Sequence, residues 1–413
     1  MAKRQSRGTR ALLEEIGDLG TLDGVTPAIQ GAGAKVIGIV LDRIRPDPAQ
    51  PRRVLPEVIR REFLAGLINA RQALERWEAL VADEASRLGR PRPDWRALLD
   101  RAPDDRGEDI ALDAPGQPGP EEDALRAIVA TAATIRHGGQ VSPITVCEVE
   151  GGAYYRIETG ERRYWAYHWL NTWLGDGYDQ IECIIVPQAS PWRQAAENTS
   201  REELSSMAMA RQLATLLLDL YDIHPTQDGP VPNDWYRQAL AYRVPRGEGE
   251  ALRAALGGIE RAQFSRIQAL LRLPDAVWEL ADRHRLEERR LRPVLRLEDE
   301  ALQLQLVRLM VEKSLSADKI EKLVESGSVE RLLRGEVPAR DDFGETASER
   351  VANRWPALAS QFTDANLDLV ADQWLKRQKP EAIRSQVAVV RRLLEMVERE
   401  IEQKAAKGGQ EQL

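Results

Sequence analysis

Apolar positions along this 413-residue chain follow two periods that divide it. Short runs rich in Val, Ile and Tyr, at Ala153–Ile157 and Ile181–Val186, read as strands. Between them Tyr164–Leu174 reads as a helix, with Trp165, Trp169 and Trp173 at i, i+4 and i+8 as a core stripe rather than a platform for bases. Asn69–Leu88 and Ala124–His137 read as further helices. From Pro191 to about Val337 the pattern is almost wholly helical, and one long helix is expected to open at Glu197 and run through Leu213, Leu216, Leu217 and Leu220. Within it, Leu252–Gly258 and Ile259–Leu271 form helix, glycine-bearing turn and helix. Leu252, Leu256, Phe264, Ile267 and Leu271 share one apolar side, which leaves Arg261, Gln263, Arg266 and Gln268 outward. Near the end, Ile383, Val387, Val390, Leu394, Val397 and Ile401 step by four and three, either as a short coiled coil or as a helix docked on Trp355, Phe362 and Trp374.

These patterns predict an α+β chain. A flexible tail occupies 1–33, a mixed α/β domain 34–190 with an extra helical segment over about 57–123, an all-helical domain 191–338, and a helical dimerisation region 339–413. Apolar residues make up 43% of the chain, enough for separate cores. Cys147 and Cys183 both sit in strand-like runs, so a disulfide framework is excluded and a reducing cytoplasm fits. The four histidines are scattered without ligand spacing, which argues against zinc. The start of the chain has no apolar core segment of a secretory signal, and no eighteen apolar residues run together, so no membrane span is expected.

The net charge of -8 suits a DNA-binding protein poorly until it is resolved along the chain. Between Arg243 and Arg296 there are 12 arginines against 8 acids, whereas between Leu64 and Ala124 there are 8 arginines against 14 acids. A basic centre and an acidic segment coexist. Arg and Gln on the second helix of the helix-turn-helix are the side chains whose donors and acceptors match base edges in the major groove, with Arg261 assigned to phosphate and Arg266 to base contact.

The candidate chemistry lies at Thr159-Gly160-Glu161-Arg162-Arg163, where a strand breaks at a glycine and restarts as a helix. A helix start offers N–H donors and partial positive charge, glycine admits close approach, and arginine matches phosphate oxygens with a forked donor. Some thirty residues on, Glu197-Asn198-Thr199-Ser200-Arg201 supplies a carboxylate, an amide and a third arginine, which together suit a hard divalent cation and the phosphates it bridges. Arg162, Arg163 and Arg201 are expected to converge on one polyanion.

In order, Ile44-Arg45-Pro46-Asp47-Pro48-Ala49-Gln50-Pro51-Arg52, Ser142-Pro143-Ile144, the Gly-Glu-Arg-Arg turn and the Glu-Asn-x-x-Arg box resemble the motifs of the ParB family. The Leu270–Pro274 exit from the helix-turn-helix is similar to that family too. The resemblance implies a domain that binds CTP with magnesium and closes a homodimer around DNA as a sliding clamp, reopened by slow hydrolysis. It puts Gly160, Glu161, Arg162, Arg163 and Arg201 on the triphosphate and Pro143, Ile144 and Thr145 on the base side, while Glu197 and Asn198 serve the magnesium and the reaction. It also implies an inverted-repeat site on double-stranded DNA, a ParA-type ATPase touched by the basic tail through Arg4, Arg7 and Arg10, and a cytoplasmic, nucleoid-associated role in partitioning a chromosome or plasmid. Ser200 stands where the family usually has glutamine or histidine, which bears on hydrolysis more than on binding. The sulfiredoxin relatives place a reactive cysteine in the loop where this chain has Thr159–Arg162, so thiol chemistry does not fit. The rival readings are a ParB-like transcription repressor without CTP turnover and a ParB-domain nuclease, for which no added carboxylate cluster is evident in the sequence.

Overall fold

The computed structural model describes residues 35–100, 118–175, 177–201, 204–225 and 229–333, with four positions nearer the carboxy end. The chain divides into two units, Met1–Pro338 and Ala339–Leu413. Of the second, Val387, Arg391, Glu395 and Arg399 are described, each helical and exposed. The tail over 1–33, the Pro-, Gly- and Asp-rich stretch 101–117, and the choice between coiled coil and docked helix otherwise lie outside the described residues.

Five strands form the sheet among the described residues: β1 (Val36–Val40), β2 (Ile44–Arg45), β3 (Ile144–Val149), β4 (Tyr154–Thr159) and β5 (Gln180–Val186). Their order is β1-β5-β3-β4-β2. β5 runs antiparallel to β1 and parallel to β3, β3 pairs antiparallel with β4, and β4 carries β2 in parallel at the edge. Five helices accompany it: α1 (Glu57–Leu64), α2 (Ala70–Arg87), α3 (Trp95–Asp100), α4 (Pro120–Gly138) and α5 (Glu161–Leu174).

The core of this part joins Ile144, Val146, Ile157 and Ile181 of the sheet to Trp165 and Trp169 of α5, Leu125 and Val129 of α4, and Leu74, Trp77 and Val81 of α2. The segment over 57–123 therefore supplies core: Trp77 is wholly buried, and Trp95 meets Trp169 edge-on at 5.8 Å. α2 starts cleanly because Asn69 Oδ1 accepts from Gln72 N–H while Gln72 Oε1 accepts from Asn69 N–H, a reciprocal pair of caps.

The helical half comprises α6 (Pro191–Arg201), α7 (Ser206–Asp219), α8 (Asn233–Arg237), α9 (Gly249–Ala255), α10 (Arg261–Ala269), α11 (Asp275–Arg283), α12 (Glu288–Leu291), α13 (Glu300–Glu312), α14 (Ala317–Glu325) and α15 (Val329–Leu333). The single long helix expected from Glu197 is instead two. α6 starts earlier, at Pro191, and ends at Arg201; α7 restarts where the Ser205 hydroxyl accepts from Ala208 N–H at 3.1 Å. The leucine period runs on across this boundary, but a serine cap sets a new N-terminus.

Candidate functional site

β4 ends at Thr159, and Gly160 turns the chain into α5 with φ 97° and ψ 23°, left-handed backbone that a β-carbon disfavours. Space gives a second reason for glycine, since a β-carbon at 160 would lie 2.6 Å from Ile144 Cγ2. Ile144 is fully buried and Thr145 nearly so, which makes them the floor beneath the turn. Of the first N–H groups of α5, those of Arg163 and Tyr164 donate back to Gly160 O at 3.0 and 3.2 Å.

The Glu161 carboxylate faces away from this opening. It is buried and accepts from Trp165 Nε1 at 3.1 Å, and burial pushes its pKa up to about 7 against the opposing Trp165 bond and Arg60 charge. Withdrawing it leaves the helix start without an anionic side chain that would repel phosphate. The sequence-based assignment of the whole Glu161 residue to the triphosphate thus narrows to its backbone.

Arg162 and Arg163 do not aim at one hollow. Arg163 Nη1 donates to Ser142 O at 2.6 Å and Pro143 O at 2.8 Å, tying the Ser-Pro edge to the turn. Arg162 lines a cavity of about 1190 Å³ with Arg52, Arg53 and Glu57. Neighbours in a helix sequence point about 100° apart, which sets their divergence. The side chains of Ser200 and Arg201 lie outside the described residues.

α6 is pinned close to the turn. Arg193 grips the buried Glu158 carboxylate through Nε at 3.0 Å and Nη2 at 2.8 Å, and Gln194 Nε2 donates to Glu158 O at 3.1 Å. Gln194 also donates to Asp47 Oδ2 at 3.4 Å, which draws in the Asp47–Pro51 loop, and burial raises the Asp47 pKa. Glu197 is half-buried one turn further along. Asn198 is buried and donates to Gln212 Oε1 at 3.1 Å, joining α6 to α7. No group of three His, Cys, Asp or Glu side chains suited to a metal gathers among the described residues. A magnesium ion held largely by nucleotide oxygens asks for only one or two protein ligands, so Glu197 with the Asn198 amide oxygen fits that need.

The helix-turn-helix begins against the same box. The Thr199 hydroxyl lies 2.6 Å from Ala195 O and 3.1 Å from Ala255 O, the last residue of α9. At Gly257, φ 83°, a β-carbon would come within 2.8 Å of Thr199 Cγ2, so the turn needs glycine there for close approach. α10 buries Phe264 and Ile267 and exposes Arg261, Gln263 and Arg266. Gln268 departs from the expectation of an outward reader. It is half-buried, and its Nε2 donates to Ala239 O at 3.0 Å, because position 268 falls between the buried stripe and the free face.

Sequence reasoning missed the buried arginines behind the site. Arg211 Nε donates to Pro51 O at 2.9 Å and its Nη2 pairs with Asp282. Arg53 pairs with Glu57 at 2.8 Å and donates to Asn233 Oδ1 at 3.1 Å. An arginine within the largely apolar run Met207–Leu218 was the available signal.

A mixed-sheet domain with a glycine turn at its strand-to-helix junction thus abuts a helix-turn-helix. Residues 250–328 match the ParB HTH domain. The chain is 29% identical over 217 residues to a nucleoid occlusion protein of Bacillus subtilis, covering 51% of this chain and 65% of that one. A nucleoid occlusion protein of Bacillus licheniformis is 29% identical over 201 residues, covering 47% and 60%. The chain thus spans somewhat under two thirds of these relatives' length. A crystal structure of the C-terminally truncated chromosome-partitioning protein ParB from Caulobacter crescentus, complexed with CTP-gamma-S, shares 16% identity at a TM-score of 0.20, covering 67% of this chain and 99% of that one. Residues 250–328 thus carry the ParB HTH domain, and the chain is similar to the nucleoid occlusion proteins over part of their length. Among the described residues no helix is long and apolar enough to cross a membrane.

Proposed function

We propose that this protein is a dimeric DNA-binding member of the ParB family that reads an inverted-repeat site through α10 and takes CTP with magnesium at the Thr159–Arg163 turn, with slow hydrolysis governing how long it stays on DNA. The observation that carries the DNA reading is the exposed face of Arg261, Gln263 and Arg266 on a helix seated by Phe264 and Ile267. The nucleotide reading is supported by the left-handed Gly160, the withdrawn Glu161 carboxylate, and α6 held against β4 so that Glu197 and Asn198 follow one turn from the anchor at Glu158. When bound, magnesium would neutralise phosphate charge beside Glu197 and Asn198. Partitioning of a replicon is the role proposed. The curated relatives, named nucleoid occlusion proteins, favour nucleoid occlusion as a second role for the same DNA-binding device.

Thermal shift against the four ribonucleoside triphosphates with magnesium tests the nucleotide half. CTP alone should raise the melting temperature, by linkage about 2.7 kcal/mol at a hundredfold excess over Kd. Arg162→Ala should abolish that rise while melting like the parent without nucleotide. Equal stabilisation by all four nucleotides, or none, would overturn CTP specificity or binding respectively; release of phosphate from CTP, with and without DNA, tests turnover.

A further inference from the structure

α11 follows the reading helix through the short 3-10 turn Leu270–Arg272, and its last residue, Arg283, reaches the acidic 57–123 segment. Arg283 Nε pairs with Glu121 Oε1 at 2.7 Å, and its Nη2 lies 3.9 Å from Glu84 Oε1. The two carboxylates are mutually organised, since Glu84 Oε2 accepts from Glu121 N–H and Glu122 N–H at 3.0 Å each and so caps α4. Their side chains are 7% and 9% exposed, whereas Arg283 is 37% exposed, so a built acidic socket holds an arginine that remains reachable. A second, longer tie joins Arg61 to Glu279 of α11 at 3.9 Å.

Beneath these pairs lies the cavity of about 1190 Å³, walled by α2, α4 and residues 279–285. Glu121, Glu279 and Arg283 all line this cavity, so the ion pairs between the acidic segment and α11 stand at its wall. An ion pair with an arginine this exposed contributes little by itself, so a stronger polyanion can displace it. The charges on its two sides are also those that a duplex would contest: a carboxylate socket and an arginine of the 12-arginine stretch between Arg243 and Arg296.

We propose that the Glu84–Glu121 pair is an internal competitor for DNA, which occupies Arg283 and must release it before a duplex is held at full strength. Phosphate oxygens offer Arg283 the same forked acceptor geometry that the carboxylates do. Release adds one cation to the DNA contact. The inference rests on the DNA-binding reading above and assigns that reading an autoinhibitory contact.

The test is fluorescence anisotropy of the full chain on a labelled duplex of arbitrary sequence across a salt series. Glu121→Gln keeps the side chain's shape and removes its charge. It should tighten binding several-fold and steepen the log–log salt slope by about 0.9, the share of one added phosphate contact. Unchanged or weaker binding overturns the proposal. Should Glu121→Gln fail to fold, hydrogen exchange on the unaltered protein decides: duplex addition should lower protection at 120–124 and 282–286, and unaltered or higher protection there overturns it. If the unaltered protein itself binds no duplex, the DNA-binding reading fails instead.

Discussion

A buried carboxyl at the head of α5 stores a pH dependence in a single residue. Glu161 is raised from 4.5 to about 7 chiefly by burial, so the folded protein holds a proton that the unfolded chain releases. Its stabilising contribution is complete below about pH 4.5, declines as pH rises, and is gone above about 7, a swing on the order of 3 kcal/mol. His168 acts with the opposite sign: burial lowers it to about 4, so stability is lost as pH falls below its unfolded value of 6.5. Glu161→Gln removes only the first effect. Its melting temperature relative to the parent should therefore climb between pH 4.5 and 7 and level off beyond. Parallel curves across that range would show that Glu161 is ionised in the native protein.

Two glutamines five residues apart on and beside the α10 face have opposite jobs. Gln263 is exposed and makes no contribution to the fold that its neighbours Phe264 and Ile267 do not already make, so Gln263→Ala should leave urea midpoints unchanged. On the cognate site it should lose roughly 1–3 kcal/mol of discrimination, read as relaxed preference at one base pair. Gln268→Ala should do the reverse: about 1 kcal/mol lost in stability as Ala239 O gives up its donor, with DNA affinity kept. A DNA defect in the Gln268 variant at unchanged stability would reinstate it as a reader. The same element shows what a linear pattern reveals. The helix-turn-helix was legible because a 3.6-residue apolar period is interrupted by paired glycines. The boundary between α6 and α7 was not, because the leucines keep their phase across Ser205. Likewise the strand-to-helix break at Gly160 was readable, while the divergence of Arg162 and Arg163 depends on which side chain finds acceptors at Ser142 and Pro143.

Across the whole first unit, the loop that carries Pro51-Arg52-Arg53 is where the sheet domain and the helical half meet, and Arg211 is its central fastening. That side chain is fully buried and forks between Pro51 O in the loop and Asp282 at the end of α11, which also accepts from the Ser205 hydroxyl. Burial alone would raise the Asp282 pKa, but the Arg211 charge and these bonds outweigh it and hold the carboxyl below its usual value. Such a pair makes a small net contribution against an apolar substitute, yet removing one partner strands the other in a dry site. Arg211→Met should therefore cost about 3–5 kcal/mol in urea unfolding. Arg211→Met with Asp282→Asn should recover a large part of that loss, since no buried charge is left unmatched. Arg211→Lys should rescue poorly, because one ammonium cannot reproduce the planar fork between a carbonyl and a carboxylate. If the two single substitutions are mild and their effects simply add, the halves of this unit are held together elsewhere. In that case the shared boundary at Thr199, Ala255 and Gly257 becomes the site that aligns the nucleotide turn with the reading helix.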